Sequence, residues 1–253
     1  MAVSKSTARV NTLAIDIGGT GLKASVLGPA GEMLTERARV ETTYPLPPAE
    51  LMRALVDLVK PLPAFNRISV AFPGVVRGGR ILSAPHFVTV SGPGSKVDQK
   101  LVTLWHDFDL AQACVSAFGR PTRVINDADM QGLDVVVGKG VELVVTLGTG
   151  LGTAVFEDGR LGPRLELSQH PFRKGQTYNE QIGDAARKKI GVKKWNRRVA
   201  KAFANLDALM FFDHIYVGGG NAEKLMIDLG PKGTKIDPNA GLLGGIRLWE
   251  LPS

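Results

Sequence analysis

The chain has 253 residues, of which 44% are hydrophobic and 22% charged, and its formal net charge is +7. These values are typical of a globular protein that buries one large core or two smaller ones. The single cysteine, Cys114, excludes both a disulfide framework and a cysteine-based zinc cluster. No apolar run is long enough to span a bilayer, and the polar first residues lack the apolar core of a signal peptide. We therefore expect a cytoplasmic protein with no membrane partner.

The first predicted element is a strand over residues 12–17, which leads through a glycine-rich turn into a second apolar run. The segment at this turn reads Asp16-Ile17-Gly18-Gly19-Thr20-Gly21. Its glycines would let backbone N–H groups approach phosphate oxygens, Thr20 would add a hydroxyl, and Asp16 could hold Mg²⁺ directly or through water. An ordinary hairpin with glycines at positive φ would have the same sequence pattern.

Helices and strands then alternate, which indicates an α/β fold. We predict a helix over 48–62, a strand over 68–72, a helix over 109–118 and a strand over 122–125. The next helix opens at Asn126-Asp127-Ala128-Asp129. A carboxylate there would lie near the positive end of the helix dipole and could accept a hydroxyl proton during phosphoryl transfer. Taken alone, the segment favours a simpler role for Asp127 as the helix N-cap.

A second apolar pattern interrupted by a Gly/Thr turn, at residues 144–156, resembles the first one at 13–27. The repeat predicts two lobes with related cores, an N-terminal lobe over 1–119 and a C-terminal lobe over 120–253. The second turn, residues 146–153, has neither Walker A spacing nor a dinucleotide fingerprint. It could cradle a phosphate through backbone N–H groups or be a tight hairpin.

The excess of positive over negative charge lies in residues 187–201, which contain eight Lys and Arg and no acidic residue. Outside this segment, 23 of the 31 basic residues nearly balance the 24 acidic ones. At about 100° per residue, one face of a helix would carry four cations, Lys194, Arg197, Arg198 and Lys201. Such a face is either an ordinary solvated surface or a binding surface for a polyanion, with nucleic acid as the generic candidate.

Two further groups of residues are candidates for binding a nucleotide or a sugar, whereas the histidines do not form a candidate metal site. A strand over 214–217 ends in Gly218-Gly219-Gly220, which could admit a nucleotide base or ribose or be a close-packed turn before a helix. Glu166 and Glu180 lie in or beside predicted turns and could bind hydroxyls, although exposed glutamates are common. The four histidines have no metal-ligand spacing: His86, His106, His170 and His214.

Nine short segments, in order, resemble the ROK sugar kinases of the actin-like ATPase-domain superfamily. These segments are residues 13–23, 72–76, 82–85, 105–110, 126–132, 146–153, 166–167, 217–220 and 239–242. Within that family the chain is most similar to polyphosphate glucokinases, which share Asn-Asp-Ala-Asp and lack the cysteine-rich zinc motif of many relatives. The resemblance implies a two-lobed, ribonuclease H-like α/β fold with the active site in the interlobe cleft. It also implies that the last helix, from about residue 240, packs back on the N-terminal lobe.

The resemblance further implies a hexokinase-type phosphotransferase that moves a phosphoryl group from polyphosphate and/or ATP to the 6-hydroxyl of a hexose, with glucose expected. Asp127 would be the general base, and the sugar would be bound by Asn126, Glu166, Glu180, His86 and His170. Asp16 would bind Mg²⁺. The phosphate path would be lined by Gly18, Gly19, Thr20, Gly21, Lys23, Thr146, Gly148, Thr149, Gly150, Gly218, Gly219 and Gly220. Zinc is not expected, and a homodimer is.

Two departures from the family pattern concern the sugar rather than the phosphoryl group. The family's Glu-Leu-Gly-His is Glu166-Leu167-Ser168-Gln169-His170 here, so either Gln169 replaces the sugar-contacting histidine or His170 comes one residue late. His86 stands where relatives have asparagine. A non-catalytic sugar or polyanion sensor that retains the kinase fold is therefore the alternative function. For the basic face we favour polyphosphate over nucleic acid, since no nucleic-acid motif adjoins it.

Overall fold

The structure, a computed structural model, describes residues 10–237 and 240–252. The first part of the chain forms β1 (Thr12–Ile17), β2 (Gly21–Leu27), β3 (Ala38–Glu41), α1 (Pro48–Val59), β4 (Arg67–Phe72), β5 (Val75–Arg77), β6 (Arg80–Ser83), α2 (Gln99–Trp105), β7 (Phe108–Asp109), α3 (Leu110–Phe118), β8 (Thr122–Asn126) and α4 (Asp127–Val135). The second part forms β9 (Val141–Leu147), β10 (Leu151–Glu157), β11 (Arg160–Leu161), β12 (Pro171–Arg173), β13 (Gln176–Thr177), α5 (Tyr178–Ile182), α6 (Asp184–Ile190), α7 (Val192–Met210), β14 (His214–Gly218), β15 (Gly233–Lys235) and α8 (Ala240–Arg247). Three 3₁₀ turns cover Leu167–Gln169, Ala222–Lys224 and Leu248–Glu250.

Two five-stranded sheets share one plan. The first has the strand order β3-β2-β1-β4-β8 and the second β11-β10-β9-β14-β15. In each sheet the first three strands of this order pair antiparallel, and the second and third of them form a central hairpin, β1-β2 or β9-β10. The last two strands of the order run parallel to β1 or β9. The predicted α/β class is therefore confirmed, and the two resembling sequence segments are the central hairpins of the two sheets. Two small separate sheets are formed by β5-β6-β7 and by β12-β13.

Local chemistry explains where the helices begin and end. Helix α1 starts with Pro48 and ends at Val59, three residues before the predicted end, because Pro61 and Pro63 cannot continue a helix. Helix α3 ends at Gly119 in the left-handed conformation, as its sequence predicts. The helix expected after Gly220 is only a 3₁₀ turn over Ala222–Lys224.

Helix α7 is the longest helix among the described residues, and one of its faces belongs to the hydrophobic core beside the second sheet. The buried side chains recur at helical spacing and include Trp195, Val199, Ala202, Phe203 and Leu206, as their sequence periodicity predicts. The indole Nε1 of Trp195 donates to the carbonyl oxygen of Ile182 at 2.6 Å, which ties α7 to α5. No helix among residues 10–237 and 240–252 has the length and hydropathy of a membrane span.

The two sheets meet through helices α4 and α8. Strand β8 pairs with β4, so the first sheet extends to Asn126, beyond the boundary predicted at residues 119 and 120. Helix α8 lies against the first sheet, where Leu242 packs with Ala14 and Leu27. Ser69 Oγ in β4 also donates to the carbonyl oxygen of Gly245 at 2.6 Å. Asn239, in the last matching segment of the sequence, lies outside the described residues.

Candidate active site

A cavity of about 490 Å³ lies between the two halves of the molecule, and both glycine-rich turns line it. A Cβ atom added at Gly19 would lie 3.5 Å from Thr149 Oγ1, so the turns approach each other across the cleft. The cavity contacts most of the residues predicted for the site: Asp16, Gly18, Gly19, Thr20, Lys23, His86, Asn126, Asp127, Thr146, Gly148, Thr149, Gly150, Glu166, Gly219 and Gly220. Gly21, Gly218, His170 and Glu180 do not line it.

The first turn is fixed through its carbonyl oxygens. Thr42 Oγ1 donates to the carbonyl of Gly18 and the Tyr44 hydroxyl to that of Gly19, both at 2.7 Å. None of the turn's glycines has the left-handed backbone that an ordinary glycine hairpin would need. The two carbonyl oxygens, which would repel a phosphate, are therefore occupied by hydrogen bonds. The lack of side chains at the glycines leaves room for a phosphate beside the turn.

Asp16 and Lys23 form an ion pair beside this turn. They are cross-strand neighbours in β1 and β2, and Lys23 Nζ lies 2.7 Å from Asp16 Oδ2. The next residue across the sheet is Arg39 of β3, which also lines the cavity and was not predicted. The first sheet thus presents one carboxylate and two cations to the cavity.

The second turn is held from the opposite side by α6 and by the segment after β14. The backbone N–H of Asp184 donates to the carbonyls of Gly148 and Thr149, at 3.2 and 3.1 Å. Asn221 Nδ2 donates to the carbonyl of Gly148 at 3.0 Å. A Cβ atom at Gly150 would overlap the Asn179 amide, which explains glycine there without a ligand.

Asn126, not Asp127, is the N-cap of α4, which corrects the N-cap interpretation. Asn126 Oδ1 accepts from the N–H groups of Ala128 and Asp129, at 2.7 and 3.4 Å. Its amide nitrogen donates to the carbonyl of Gly74 at 3.0 Å. Asn126 is buried and its polar atoms already bind the backbone, so it fixes the helix start. Asp127 is then the first helical residue, and it lines the cavity.

The environment of Asp127 favours its protonated form. Burial at the cavity wall, together with the nearby negative charge of Asp16, raises the pKa of Asp127 to about 7, although Arg164 and the N–H of Ala128 act in the opposite direction. The side chain of Asp127 nevertheless lines the cavity, so a substrate in the cleft can reach this carboxyl group. A carboxylate with a pKa near neutrality is suited to accept a proton and release it again.

Arg164 is a site residue that the sequence did not reveal. Its guanidinium bridges two carboxylates, donating to Asp129 Oδ1 and, at 3.2 Å, to Glu166 Oε1. Burial raises the pKa of Asp129 to about 6 against the opposing effect of Arg164. Arg164 and Glu166 both line the cavity, so this bridge is part of its wall.

The remaining sugar candidates differ in where they lie. His86 lines the cavity, and burial lowers its pKa to about 4, so its imidazole is neutral at physiological pH. Of the altered Ser168-Gln169-His170 segment, Ser168 and Gln169 line the cavity. His170 is exposed, with Nδ1 3.1 Å from the Pro171 carbonyl. Glu180 closes a capping box with Thr177 at the start of α5 and does not line the cavity.

Residues 12–163, more than half of the chain, match the ROK family model. The chain belongs to the ROK family. It is similar to the polyphosphate glucokinase of Mycobacterium tuberculosis, with 24% identity over an alignment of 229 positions that covers 87% of this chain and 81% of that protein.

Two solved structures also resemble this ROK protein. The inorganic polyphosphate/ATP-glucomannokinase of Arthrobacter sp. strain KM has a TM-score of 0.80 and 28% identity, over 94% of this chain and 97% of that one. A ROK family glucokinase from Streptomyces griseus, solved with glucose and AMPPNP, has a TM-score of 0.73 and 18% identity, over 94% of this chain and 98% of that one. The predicted family and the two-lobed actin-like fold are confirmed.

The basic segment of this ROK protein adjoins the second turn. It begins in α6 with Arg187 and Lys188, which bind the Asp184 carboxylate at 2.7 and 2.8 Å. In α7, Arg198 is half-buried and donates to the carbonyl of Gln181 at 3.2 Å. The exposed cations of the predicted track are Lys194, Arg197 and Lys201, at the spacing of one helical face.

The donor set of the cleft fits Mg²⁺ but not a metal held by protein ligands alone. Among residues 10–237 and 240–252, no three His, Cys, Asp or Glu side chains lie close enough to hold a metal together. Mg²⁺ commonly binds one or two carboxylates and completes its shell with water and substrate phosphates. Asp16, beside the first turn, is a carboxylate of that kind.

Cys114 is buried in the hydrophobic core beside the first sheet, where burial raises the pKa of its thiol to about 12.

Proposed function

We propose that this protein is a sugar kinase that transfers a phosphoryl group from polyphosphate or ATP to the 6-hydroxyl of a hexose, with glucose as the leading acceptor. The observation that carries the proposal is the Asp127 carboxylate, with a pKa of about 7, in a cavity between two glycine-rich turns. A base is thereby combined with two candidate phosphate sites in one cleft. The similarity to polyphosphate and ATP-dependent hexose kinases supports the same activity.

In the proposed reaction Asp127 binds the 6-hydroxyl of the sugar and accepts its proton as the oxygen attacks the terminal phosphorus. The new O–P bond forms while the bond to the leaving phosphate breaks, which gives a hexose 6-phosphate and ADP, or polyphosphate shorter by one unit. Glu166, Gln169 and His86 would bind the other hydroxyls. Neutral His86 can donate one hydrogen bond and accept another, which suits a neutral polyol.

On the donor side, the backbone of the two turns would surround the terminal phosphates, with Lys23 and Arg39 balancing their charge. Asp16 would hold Mg²⁺, which neutralises phosphate charge when it is bound. Closure of the cleft around both substrates would exclude water and so suppress hydrolysis of the donor.

Gln169→Ala is expected to raise the KM for the sugar by roughly fivefold to fiftyfold, because it removes a hydrogen-bonding group that lines the cavity. His170→Ala is the matched control. Its ring is exposed and outside the cavity, so its KM should stay within about twofold of the wild type. Steady-state kinetics with the preferred sugar compares the two. A larger defect in His170→Ala would assign the family's histidine position to His170 instead.

Replacing Lys194, Arg197 and Lys201 by glutamine is expected to weaken polyphosphate use more than ATP use. A long polyanion that leaves the cleft along α6 and α7 would lose three contacts, whereas ATP is too short to need them. The relevant measurement is kcat/KM with each donor at two salt concentrations. Control substitutions at three exposed cations of the first half, Lys60, Arg77 and Lys100, change the net charge equally. Equal losses with both donors would contradict a polyanion track.

A panel of purified reactions tests the proposed function and identifies the substrates. Glucose, mannose, fructose and N-acetylglucosamine are each paired with ATP or polyphosphate in the presence of Mg²⁺. We expect sugar-dependent consumption of a donor for at least one pair. If no pair reacts while calorimetry still detects sugar binding, the protein is a sugar sensor on the kinase fold. Sedimentation of the same sample tests the expected homodimer.

A further inference from the structure

Arg164 joins the loop that precedes the 3₁₀ turn at Leu167–Gln169 to the first turn of α4. Its guanidinium donates to Asp129 in the helix and to Glu166 in the loop. The side chains of Arg164 and Asp129 are 18% and 8% exposed, so their ion pair is largely shielded from water. A planar guanidinium that binds two carboxylates fixes both of them in one geometry.

Asp129 depends on this partner because it is buried. An ionised carboxylate without water is stabilised only if it is paired and hydrogen-bonded. The backbone N–H of Asp129 is bound by the Asn126 cap, in the same helical turn that carries Asp127. Arg164 is therefore tied directly to the helix start that presents Asp127.

Glu166 depends on Arg164 for a different reason. Its side chain is 37% exposed, and residues 162–166 have no regular secondary structure. An exposed side chain on such a segment samples several rotamers unless a partner holds it. The bond from Arg164 Nε, at 3.2 Å, keeps Glu166 at a defined distance from α4.

Arg164 also balances the charge around Asp127. Asp16 in β1 and Asp129 in α4 both raise the pKa of Asp127, whereas Arg164 lowers it. The other charged groups that line the same cavity are Lys23, Arg39, Glu166 and Asp184. Of these, Lys23 pairs with Asp16. Without Arg164, the carboxylates of Asp129 and Glu166 would lose their counter-charge.

We propose that Arg164 is a positioning residue that ties Glu166, in the cavity wall beside the acceptor, to the buried Asp129 of α4 and keeps the Asp127 carboxylate able to take a proton. Its catalytic consequence rests on the proposed function, but the arrangement itself can be measured without turnover. The matched control is Arg160→Gln, which removes the same charge from an exposed position in β11 outside the cavity.

Carboxyl titration by NMR is the first test. Aspartate is labelled with ¹³C at Cγ, and the Asp127 signal is identified by its absence from the Asp127→Asn variant. We expect Arg164→Gln to move the Asp127 titration to higher pH, and Arg160→Gln to leave it unchanged. An unchanged Asp127 titration in Arg164→Gln would overturn the proposal, whether or not the wild type has kinase activity.

Kinetics supply the second test. With a sugar that the wild type phosphorylates, Arg164→Gln should raise the sugar KM by about tenfold or more and move the acidic limb of kcat/KM to higher pH. Arg164→Lys keeps the positive charge but lacks the planar guanidinium that binds two carboxylates. It should therefore return the acidic limb of kcat/KM to its wild-type pH, while the sugar KM stays elevated. Absence of turnover in the wild type would refute the proposed function alone, since the NMR titration still decides the role of Arg164.

A double variant keeps the proposal testable if Arg164→Gln does not fold. Arg164→Gln combined with Asp129→Asn replaces the buried ion pair by two neutral amides, so no buried charge is left unpaired. Glu166 still lacks its guanidinium partner, and the elevated sugar KM should persist. A folded double variant with the wild-type KM would overturn the positioning role.

Discussion

Asp127→Asn is expected to lower turnover by about 10²–10⁴-fold while hexose binding stays nearly unchanged. The amide keeps the size of the carboxyl group but cannot accept the 6-hydroxyl proton. Steady-state kinetics and isothermal calorimetry with the same sugar separate the two effects. Retained turnover would refute the assignment of Asp127 as the base, whereas parallel loss of binding and turnover would indicate a purely structural role.

The wild type should show a matching pH dependence. The base is the ionised form, and the pKa of Asp127 is about 7, so kcat/KM should fall by roughly tenfold per pH unit below neutrality. The acidic limb in kcat reports the pKa of Asp127 in the complex with the sugar. A flat profile between pH 5 and about 7 would contradict the assignment.

The same substitution should stabilise the protein above neutral pH. Because the pKa of Asp127 is raised on folding, the folded state binds this proton more tightly than the unfolded state does. The free energy of unfolding therefore falls as the pH rises from about 4 to 7, and Asn removes that loss. We expect a gain of about 1 kcal/mol, or roughly 2–4 °C in Tm, at pH 8. The gain should vanish at acidic pH.

Gly244→Ala is expected to destabilise the protein by about 2–4 kcal/mol. A Cβ atom at Gly244 in α8 would overlap the backbone carbonyl oxygen of Met130 in α4. Because that atom belongs to a helix backbone, the two helices must separate. Helix α4 carries Asp127, so the sugar-kinase activity should fall together with the stability. The effect outweighs the gain of about 1 kcal/mol that alanine brings to a helix interior.

Gly245→Ala is the matched control, one residue further along the same helix. Its added Cβ would meet only the side chains of Ser69 and Ala14, at 3.1 and 3.3 Å. Small shifts can relieve such contacts, and the gain in helix propensity offsets them, so we expect a change within about 1 kcal/mol. Chemical denaturation of both variants gives the comparison. Equal stabilities would contradict the close crossing of α4 and α8.

The parts of the fold that depend on local sequence could be predicted. Both glycine-rich turns, the apolar face of α7 and the end of α3 at Gly119 follow from periodicity and from backbone rules that act within a few residues. The sequence-based prediction of the N-cap of α4 is wrong, because asparagine and aspartate cap almost equally well and local rules do not separate Asn126 from Asp127. Only the structure shows that Asn126 caps, which leaves Asp127 facing the cavity.

The parts that depend on tertiary contacts could not be predicted. Arg164 and Asp129 are 35 residues apart, and no pattern in an irregular loop indicates which helix it will contact. Glu180 is an instructive opposite case. The sequence Thr177-x-x-Glu180 is a capping-box pattern, so a local rule already explained that glutamate without a ligand.

The most direct test of the proposed function is ³¹P NMR of the purified protein incubated with Mg²⁺, glucose and either ATP or polyphosphate. We expect a signal of glucose 6-phosphate that grows as the donor is consumed and that is absent when glucose is omitted. Release of inorganic phosphate alone, with no sugar phosphate from glucose or from the other hexoses of the panel, would contradict the proposed function.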